Sequence, residues 1–245
     1  MKYMGSKARH AKEIIKAMET ELGDYIRNWG GGDKDYIEPF VGGANMIDKI
    51  PDVFKTKRGN DINVHLIEMF KAVQGGWLPP DTVSEQEYKQ LMSKSDIYCT
   101  GIESALIGFV GIGCSYSGKW FGGYARGNAN NGSPRNYCLE SKKNLLNQDI
   151  KNVVFSHGNY YDMILLDQSL IYCDPPYAGT TKYRDYFDHN RFWDWCNKMV
   201  EDGHRVFVSE YNAPEGWRCI WRKEVNNSLT KETGSKQGVE KLFTK

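Results

Sequence analysis

Ser169-Leu170-Ile171-Tyr172-Cys173-Asp174-Pro175-Pro176-Tyr177 is the stretch on which the fold turns. Residues 169 to 173 read as a strand. The strand stops at Asp174, because two consecutive prolines have no N–H groups for a ladder and impose a rigid, extended turn. Upstream, residues 139–148 read as a helix and Val153 to Ser156 as a strand. Downstream, 178–187 is a loop. Phe192, Trp195, Cys196, Met199 and Val200 then form a helical stripe closed by Gly203. Arg205 to Glu210 is a strand, and two more, 217–225 and 239–244, flank a polar loop.

Toward the N-terminus, Ser6 can cap a helix whose inner face is Ala11, Ile14, Ile15, Met18 and Leu22, ended by Gly30-Gly31-Gly32. Asp35 to Glu38 is a strand stopped by Pro39. A Gly42-Gly43 turn and a helix from about Ala44 follow. Arg58 to Asp61 is a strand. Asn63 caps a helix with Leu66, Ile67, Phe70 and Val73 inward. Ser84-x-x-Glu87 and Thr100-x-x-Glu103 open two further helices, the second carrying Ile102, Ala105, Leu106, Phe109 and Val110 on one stripe. Strands alternating with helices predict an α/β fold with a mostly parallel sheet and right-handed crossovers. Ligands in such sheets bind beyond the carboxyl ends of the strands. Glu38, Asp61 and Asp174 each stand at such an end, which predicts an acidic, polar cleft.

Composition narrows the classes. At 245 residues and 40% hydrophobic, the chain is globular and can bury one good core. No apolar run approaches the roughly 20 residues of a membrane span, and the N-terminus lacks a secretory pattern. A cytoplasmic location is expected. The six cysteines form no C-x-x-C pair, so neither a metal site nor a disulfide framework is expected. The net charge of +1 does not advertise nucleic acid, so any positive surface must be local.

The chemistry is carried by Asp174 to Tyr177. The carbonyls of Pro175 and Pro176 are pure acceptors, the Asp174 carboxylate adds another, and Tyr177 adds a flat aromatic face. An exocyclic amine such as adenine N6 is a poor nucleophile, because its lone pair is delocalised into the ring. Two acceptors on its hydrogens favour the more nucleophilic, pyramidal nitrogen, and a stacked ring fixes the base. The same four residues also suit a plain Pro-Pro turn. Glu38-Pro39-Phe40-Val41-Gly42-Gly43 is a strand–glycine turn that lets a ligand approach the backbone, or an ordinary turn. Asp61 can accept a ribose diol or start a helix. Lys7, a cation in a first helical turn, suits a carboxylate partner or solvent. Between Gly113 and Asn136, aromatic and basic residues interleave without periodicity. Tyr116, Lys119, Trp120, Tyr124, Arg126 and Arg135 there have the composition of a nucleic-acid surface or of a generic loop. Lys231 and Lys236 sit in a second basic loop. No Walker lysine motif, dinucleotide fingerprint or local Ser-His-Asp pattern is present.

Together these motifs resemble the D12 class of N6-adenine DNA methyltransferases, the Dam-like family of bacteria and phages. Tyr3-Met4-Gly5-Ser6-Lys7, Glu38 to Gly42, Asp61-Ile62-Asn63, Asp174 to Tyr177 and Val239 to Phe243 follow the family's order over most of the chain. The resemblance implies a Rossmann-like methyltransferase sheet, mostly parallel with a C-terminal antiparallel strand. It implies a catalytic domain of 1–79 and 138–245 and a smaller target-recognition insertion of 80–137. It further implies S-adenosylmethionine as donor, double-stranded DNA as partner and base flipping. Tyr3, Lys7, Glu38, Phe40, Gly42, Asp61, Ile62, Asn159, Tyr160 and Asp174 would serve the donor. Asp174, Pro175 and Tyr177 would serve the target amine. Where the family pattern ends its glycine motif, this chain has Ala44, and its insertion does not follow the pattern that reads GATC. No obligate protein partner is called for. An RNA N6-adenine or DNA N4-cytosine enzyme uses the same amine logic. A non-catalytic nucleic-acid-binding protein on this scaffold would be expected to have damaged donor motifs.

Overall fold

The structure, a computed structural model, describes residues 1–23, 33–129, 132–165, 168–177, 187–226 and 237–245. Seven strands among the described residues form one sheet: β1 (Asp35–Glu38), β2 (Thr56–Asp61), β3 (Val153–His157), β4 (Leu170–Cys173), β5 (Arg205–Glu210), β6 (Arg218–Asn226) and β7 (Gln237–Thr244). Their order is β3-β2-β1-β4-β5-β7-β6. β1 pairs parallel with β4, and β4 with β5, in the register Cys173↔Val208. β7 runs antiparallel to both β5 and β6. The order 3-2-1-4-5 is that of a doubly wound sheet, with the crossing point between β1 and β4. The six helices among the described residues are α1 (Ala11–Leu22), α2 (Val64–Gln74), α3 (Glu85–Ser93), α4 (Gly101–Gly113), α5 (Tyr137–Leu146) and α6 (His189–Glu201). None of them is long and apolar enough to cross a membrane.

The chain divides into two compact units. The first comprises Met1–Ala11, Val41–Ile50 and Arg58–Asp162, so residues 80–137 lie wholly within it. α2 begins at Asn63, whose side chain accepts the His65 N–H, and buries Leu66, Ile67 and Phe70. Phe70 stacks on Phe155 of β3 with centroids 4.8 Å apart. The expected stripe on α4 needs correction. Ile102 is exposed, whereas Ser104, Ala105, Ile107, Gly108, Phe109 and Val110 are buried. The contact with α2 is made by small residues: a Cβ on Gly108 would strike the His65 carbonyl, and Ser104 Oγ lies 2.8 Å from His65 Nδ1. Close backbone approach therefore replaces an aliphatic seam. Thr100 makes no side-chain cap bond; the Gly101 N–H goes to Glu68 Oε2 at 2.7 Å instead.

The helix expected from Ala44 does not form. A turn leads into a three-residue 3-10 segment, Ile47–Lys49. Gly42 and Ala44 both adopt left-handed φ, 48° and 54°, and Pro51 follows an extended Ile50. Ala44 stands where the family pattern has glycine, and that backbone costs an alanine roughly 1–2 kcal/mol.

The second unit comprises Lys12–Phe40, Pro51–Lys57 and Met163–Lys245. Tyr36, Ile37, Ile171, Tyr172, Val206 and Phe207 are buried along its strands, and Phe192 and Cys196 along α6. Trp193 rather than Trp195 is the buried tryptophan of α6. β6 is held to α1 by exposed ion pairs, Arg218 with Glu21 and Lys223 with Glu13.

Candidate active site

In the first unit, β2 delivers Asn60 and Asp61 to a junction of three loops. The Gly42 N–H donates to Asp61 Oδ2 and the Asn63 N–H to Oδ1, both at 2.9 Å. The Val41 N–H donates to the Asn60 carbonyl at 2.8 Å, and the Gly158 N–H to the Asp61 carbonyl at 3.1 Å. Asn60 Nδ2 donates to the Gly158 carbonyl at 2.9 Å, while Asn60 Oδ1 accepts from Ser156 Oγ at 3.0 Å. Burial raises the Asp61 carboxyl above its ordinary value, against the opposing pull of the Asn63, Gly42 and Ile62 amides and of His157. A carboxylate can accept further hydrogen bonds beside these, as from a ligand hydroxyl. Ile62 beside it is 56% exposed, an apolar surface next to a carboxylate.

Tyr3 lies against the glycine turn. A Cβ on Gly42 would come within 2.9 Å of its ring, and one on Gly43 within 2.7 Å of its Cβ. Glycine is needed here for the close approach of Tyr3. Gln148 braces the same turn, its Nε2 donating to the carbonyls of Gly43 and Ala44 at 2.9 and 3.0 Å. Lys7 is only 5% exposed, and its Nζ donates to the Gly5 carbonyl at 3.0 Å. It opens a 3-10 segment, Lys7–Arg9, capped by Ser6, rather than α1 itself. Asn159 follows β3; its carbonyl accepts the Asp162 N–H. Tyr160 is buried with its ring edge-on to Tyr161.

In the second unit, Asp174 leaves the carboxyl end of β4, half-buried, followed by a buried Pro175. The Tyr177 hydroxyl donates to Glu240 Oε2 at 2.8 Å, and its ring meets that of Tyr211 edge to face at 4.7 Å. Burial, then the charges of Asp174 and Glu240, push the Tyr177 phenol well above its ordinary value. Glu38 is buried at the end of β1, and its Oε1 accepts from the Tyr36 hydroxyl at 2.8 Å. Phe40 sits in an aromatic cluster, 5.8 Å from Phe187 and 5.7 Å from Phe192. Sequence reasoning passed over Glu210, Tyr211 and Glu240. Glu210 ends β5, 1% exposed, accepting the Tyr211 N–H at 2.5 Å, with His189 Nδ1 3.8 Å away. The rule that marked Glu38 and Asp61, an acid at a strand's carboxyl end, would have found it. Nothing local in the sequence marks Glu240.

The interleaved aromatic and basic segment separates into two groups. Trp120 stacks on His65 and packs on Phe121. The Tyr124 hydroxyl donates to the Val83 carbonyl at 2.6 Å. Both contacts pack this unit, and both side chains stay part-exposed. Arg126 pairs with Glu85, and Arg135 bonds both oxygens of Glu140 at 2.6 and 2.7 Å. Tyr116, 66% exposed, and Lys119 face solvent. Lys231 and Lys236 lie outside the described residues. All six cysteines are free thiols.

A doubly wound sheet closed by an antiparallel hairpin, with acids at the carboxyl ends of its strands, is the Rossmann-like fold of an S-adenosylmethionine-dependent methyltransferase. The chain belongs to the D12 class N6 adenine-specific DNA methyltransferase family, whose model matches residues 3–99 and 118–216. No curated protein matches it significantly in sequence. Two solved structures are similar at 9% identity. One is HI0767 from Haemophilus influenzae, assigned as a methylase, with TM-score 0.34 over 94% of this chain and 86% of that one. The other is SMU.472, assigned as a methyltransferase and solved with SAH, with TM-score 0.32 over 94% of this chain and 51% of that one. At these scores neither likeness bears on the fold, which the strand order defines. S-adenosylmethionine is the donor that goes with the family. The first unit's residues fit it chemically: a carboxylate for the ribose, an exposed apolar side chain for the purine, and a buried lysine for the carboxylate.

Proposed function

We propose that this protein transfers a methyl group from S-adenosylmethionine to adenine N6 in double-stranded DNA, at a specific or relaxed site. The observation that carries the reading is the Asp174-Pro175-Pro176-Tyr177 turn at the carboxyl end of β4, with a charged acceptor at one end and an anchored aromatic ring at the other. When bound, the donor supplies an electrophilic methyl on a sulfonium. Asp174 and the Pro175 carbonyl accept the two N6 hydrogens and free the nitrogen lone pair, and Tyr177 stacks on the base. A base inside a duplex cannot reach such a turn, so the adenine is flipped out.

Toward the donor, Lys7 faces its carboxylate, Asp61 its ribose, and Ile62, Asn159 and Tyr160 its adenine. Tyr3 and Gly42 serve the donor from the same unit, and Glu38 and Phe40 are further candidates for it. Residues 80–137 select the target sequence, with Tyr116 and Lys119 as its exposed contacts. Lys231 and Lys236 add backbone contacts. The enzyme works in the cytoplasm.

The test is incubation with unmethylated duplex DNA and labelled donor, followed by nucleoside mass spectrometry. N6-methyladenine should form and disappear in Asp174→Ala. Methylated RNA with unmethylated DNA would sink the substrate assignment, and full activity in Asp174→Ala would sink the role of the turn.

A further inference from the structure

We propose that Glu240, opposite Lys223 where β7 pairs with β6 and 63 residues beyond Tyr177 in sequence, is a positioning residue that fixes the Tyr177 ring for the target base. The inference rests on the amine-methylation reading above and adds a residue from the C-terminal hairpin to it.

A tyrosine that stacks on a base must hold its ring plane while the base enters. Its two side-chain torsions leave the ring free to swing unless both its hydroxyl tip and its ring are engaged. Here both are. The hydroxyl is tied to Glu240 Oε2 at 2.8 Å, a hydrogen bond with a charged acceptor. The ring is met by Tyr211 at 4.7 Å with planes 81° apart, the edge-to-face arrangement that aromatic pairs favour. The phenol is held well above its ordinary value, so it stays a donor throughout the working pH range.

The topology explains how a distant residue arrives there. β7 lies between β5 and β6 and runs antiparallel to β5, pairing Lys241 with Glu210. Because β5 ends at Glu210 at the same end of the sheet as the Asp174 turn, antiparallel entry brings the early part of β7 to that end. A parallel strand in the same slot would bring its last residues there instead. Glu240 precedes Lys241, so the hairpin delivers a carboxylate beside Tyr177. Glu240 carries a carboxylate, whereas neither the ammonium of Lys241 nor the ring of Phe243 can accept a phenol hydrogen bond.

The experiment is a double-mutant cycle on the full chain with duplex DNA. Glu240→Ala should lower kcat about tenfold, the loss of one charge-assisted hydrogen bond, and leave the donor KM unchanged. Tyr177→Phe should do the same. The double variant should be no slower than the slower single variant, because both changes remove one contact. Glu240→Gln keeps an acceptor and should recover most of the rate. Additive losses, an unchanged rate in Glu240→Ala, or no recovery in Glu240→Gln would each overturn the proposal. Spectra of ring-labelled tyrosine read the contact without turnover. The Tyr177 signal, assigned through Tyr177→Phe, should shift in Glu240→Ala and hold in Glu240→Gln. If the wild type methylates no nucleic acid, the amine reading falls, while this signal still decides whether Glu240 holds Tyr177.

Discussion

Asp61 Oδ2 lies 2.9 Å from the Gly42 nitrogen, tying the end of β2 to the glycine turn that follows β1. The second oxygen holds the Asn63 amide at the start of α2. One carboxylate therefore shapes two loops before it meets any ligand. Replacing it with alanine strands two amides in a buried site. Asp61→Ala should lose about 1–3 kcal/mol of stability and weaken S-adenosylhomocysteine binding at least tenfold. Denaturant unfolding and titration calorimetry measure the two effects. Normal product binding in the variant would remove Asp61 from the donor site.

Gly108 allows α4 to lie against the backbone of α2. Gly108→Ala places a methyl group against the His65 carbonyl. A neighbour that is backbone cannot swing aside, so the expected destabilisation is about 1–3 kcal/mol, read as a lower midpoint in urea. An unchanged midpoint would show that the helices separate at little cost.

His204 is buried, and its Nδ1 accepts the Ser169 N–H at 2.9 Å. A protonated Nδ1 cannot accept that bond. Burial accordingly lowers its pKa from the ordinary 6.5. A group depressed in the folded state contributes stability that is present above pH 6.5 and lost as pH falls through the folded value. Unfolding free energy should therefore drop between pH 7.5 and pH 5. In His204→Asn, whose Oδ1 can still accept from Ser169, that part of the pH dependence should vanish. Parallel pH profiles for variant and wild type would remove His204 as its source.

Among the interleaved basic and aromatic residues, only some should matter for DNA. Arg126 and Arg135 are already paired with Glu85 and Glu140. Tyr116 and Lys119 are exposed. Lys119→Ala should weaken duplex binding and reduce the salt dependence by about one phosphate contact, a slope change of roughly 0.9. Arg135→Ala should leave the slope nearly intact. The reverse pattern in fluorescence anisotropy across a salt series would relocate the interface.

The strands Asp35–Glu38 and Arg205–Glu210 have the bounds expected from sequence, and β2 and β4 differ by a residue or two. Apolar runs ended by proline or glycine are local signals, and local signals suffice for such elements. The same holds for the Asn63 and Ser84 caps, whose bonds span two or three residues. The acids at the ends of β1, β2 and β4 were legible for that reason. Local pattern failed wherever a partner far along the chain decided the outcome. Ala44 looked like a helix start, yet the turn takes left-handed backbone where Gln148, more than a hundred residues away, grips its carbonyls. Ile102 fitted a helical stripe, yet α4 buries its small residues against α2.

The sequence by itself determined an α/β fold with a mostly parallel sheet and the Asp174 to Tyr177 turn at the carboxyl end of its strand, because strand termination and proline chemistry act over a few residues. Only the tertiary structure decided what holds that turn's aromatic ring. Tyr177 and Glu240 meet because β7 enters the sheet antiparallel beside β5, and strand direction is set by packing and pairing across the whole sheet rather than by the residues of the strand.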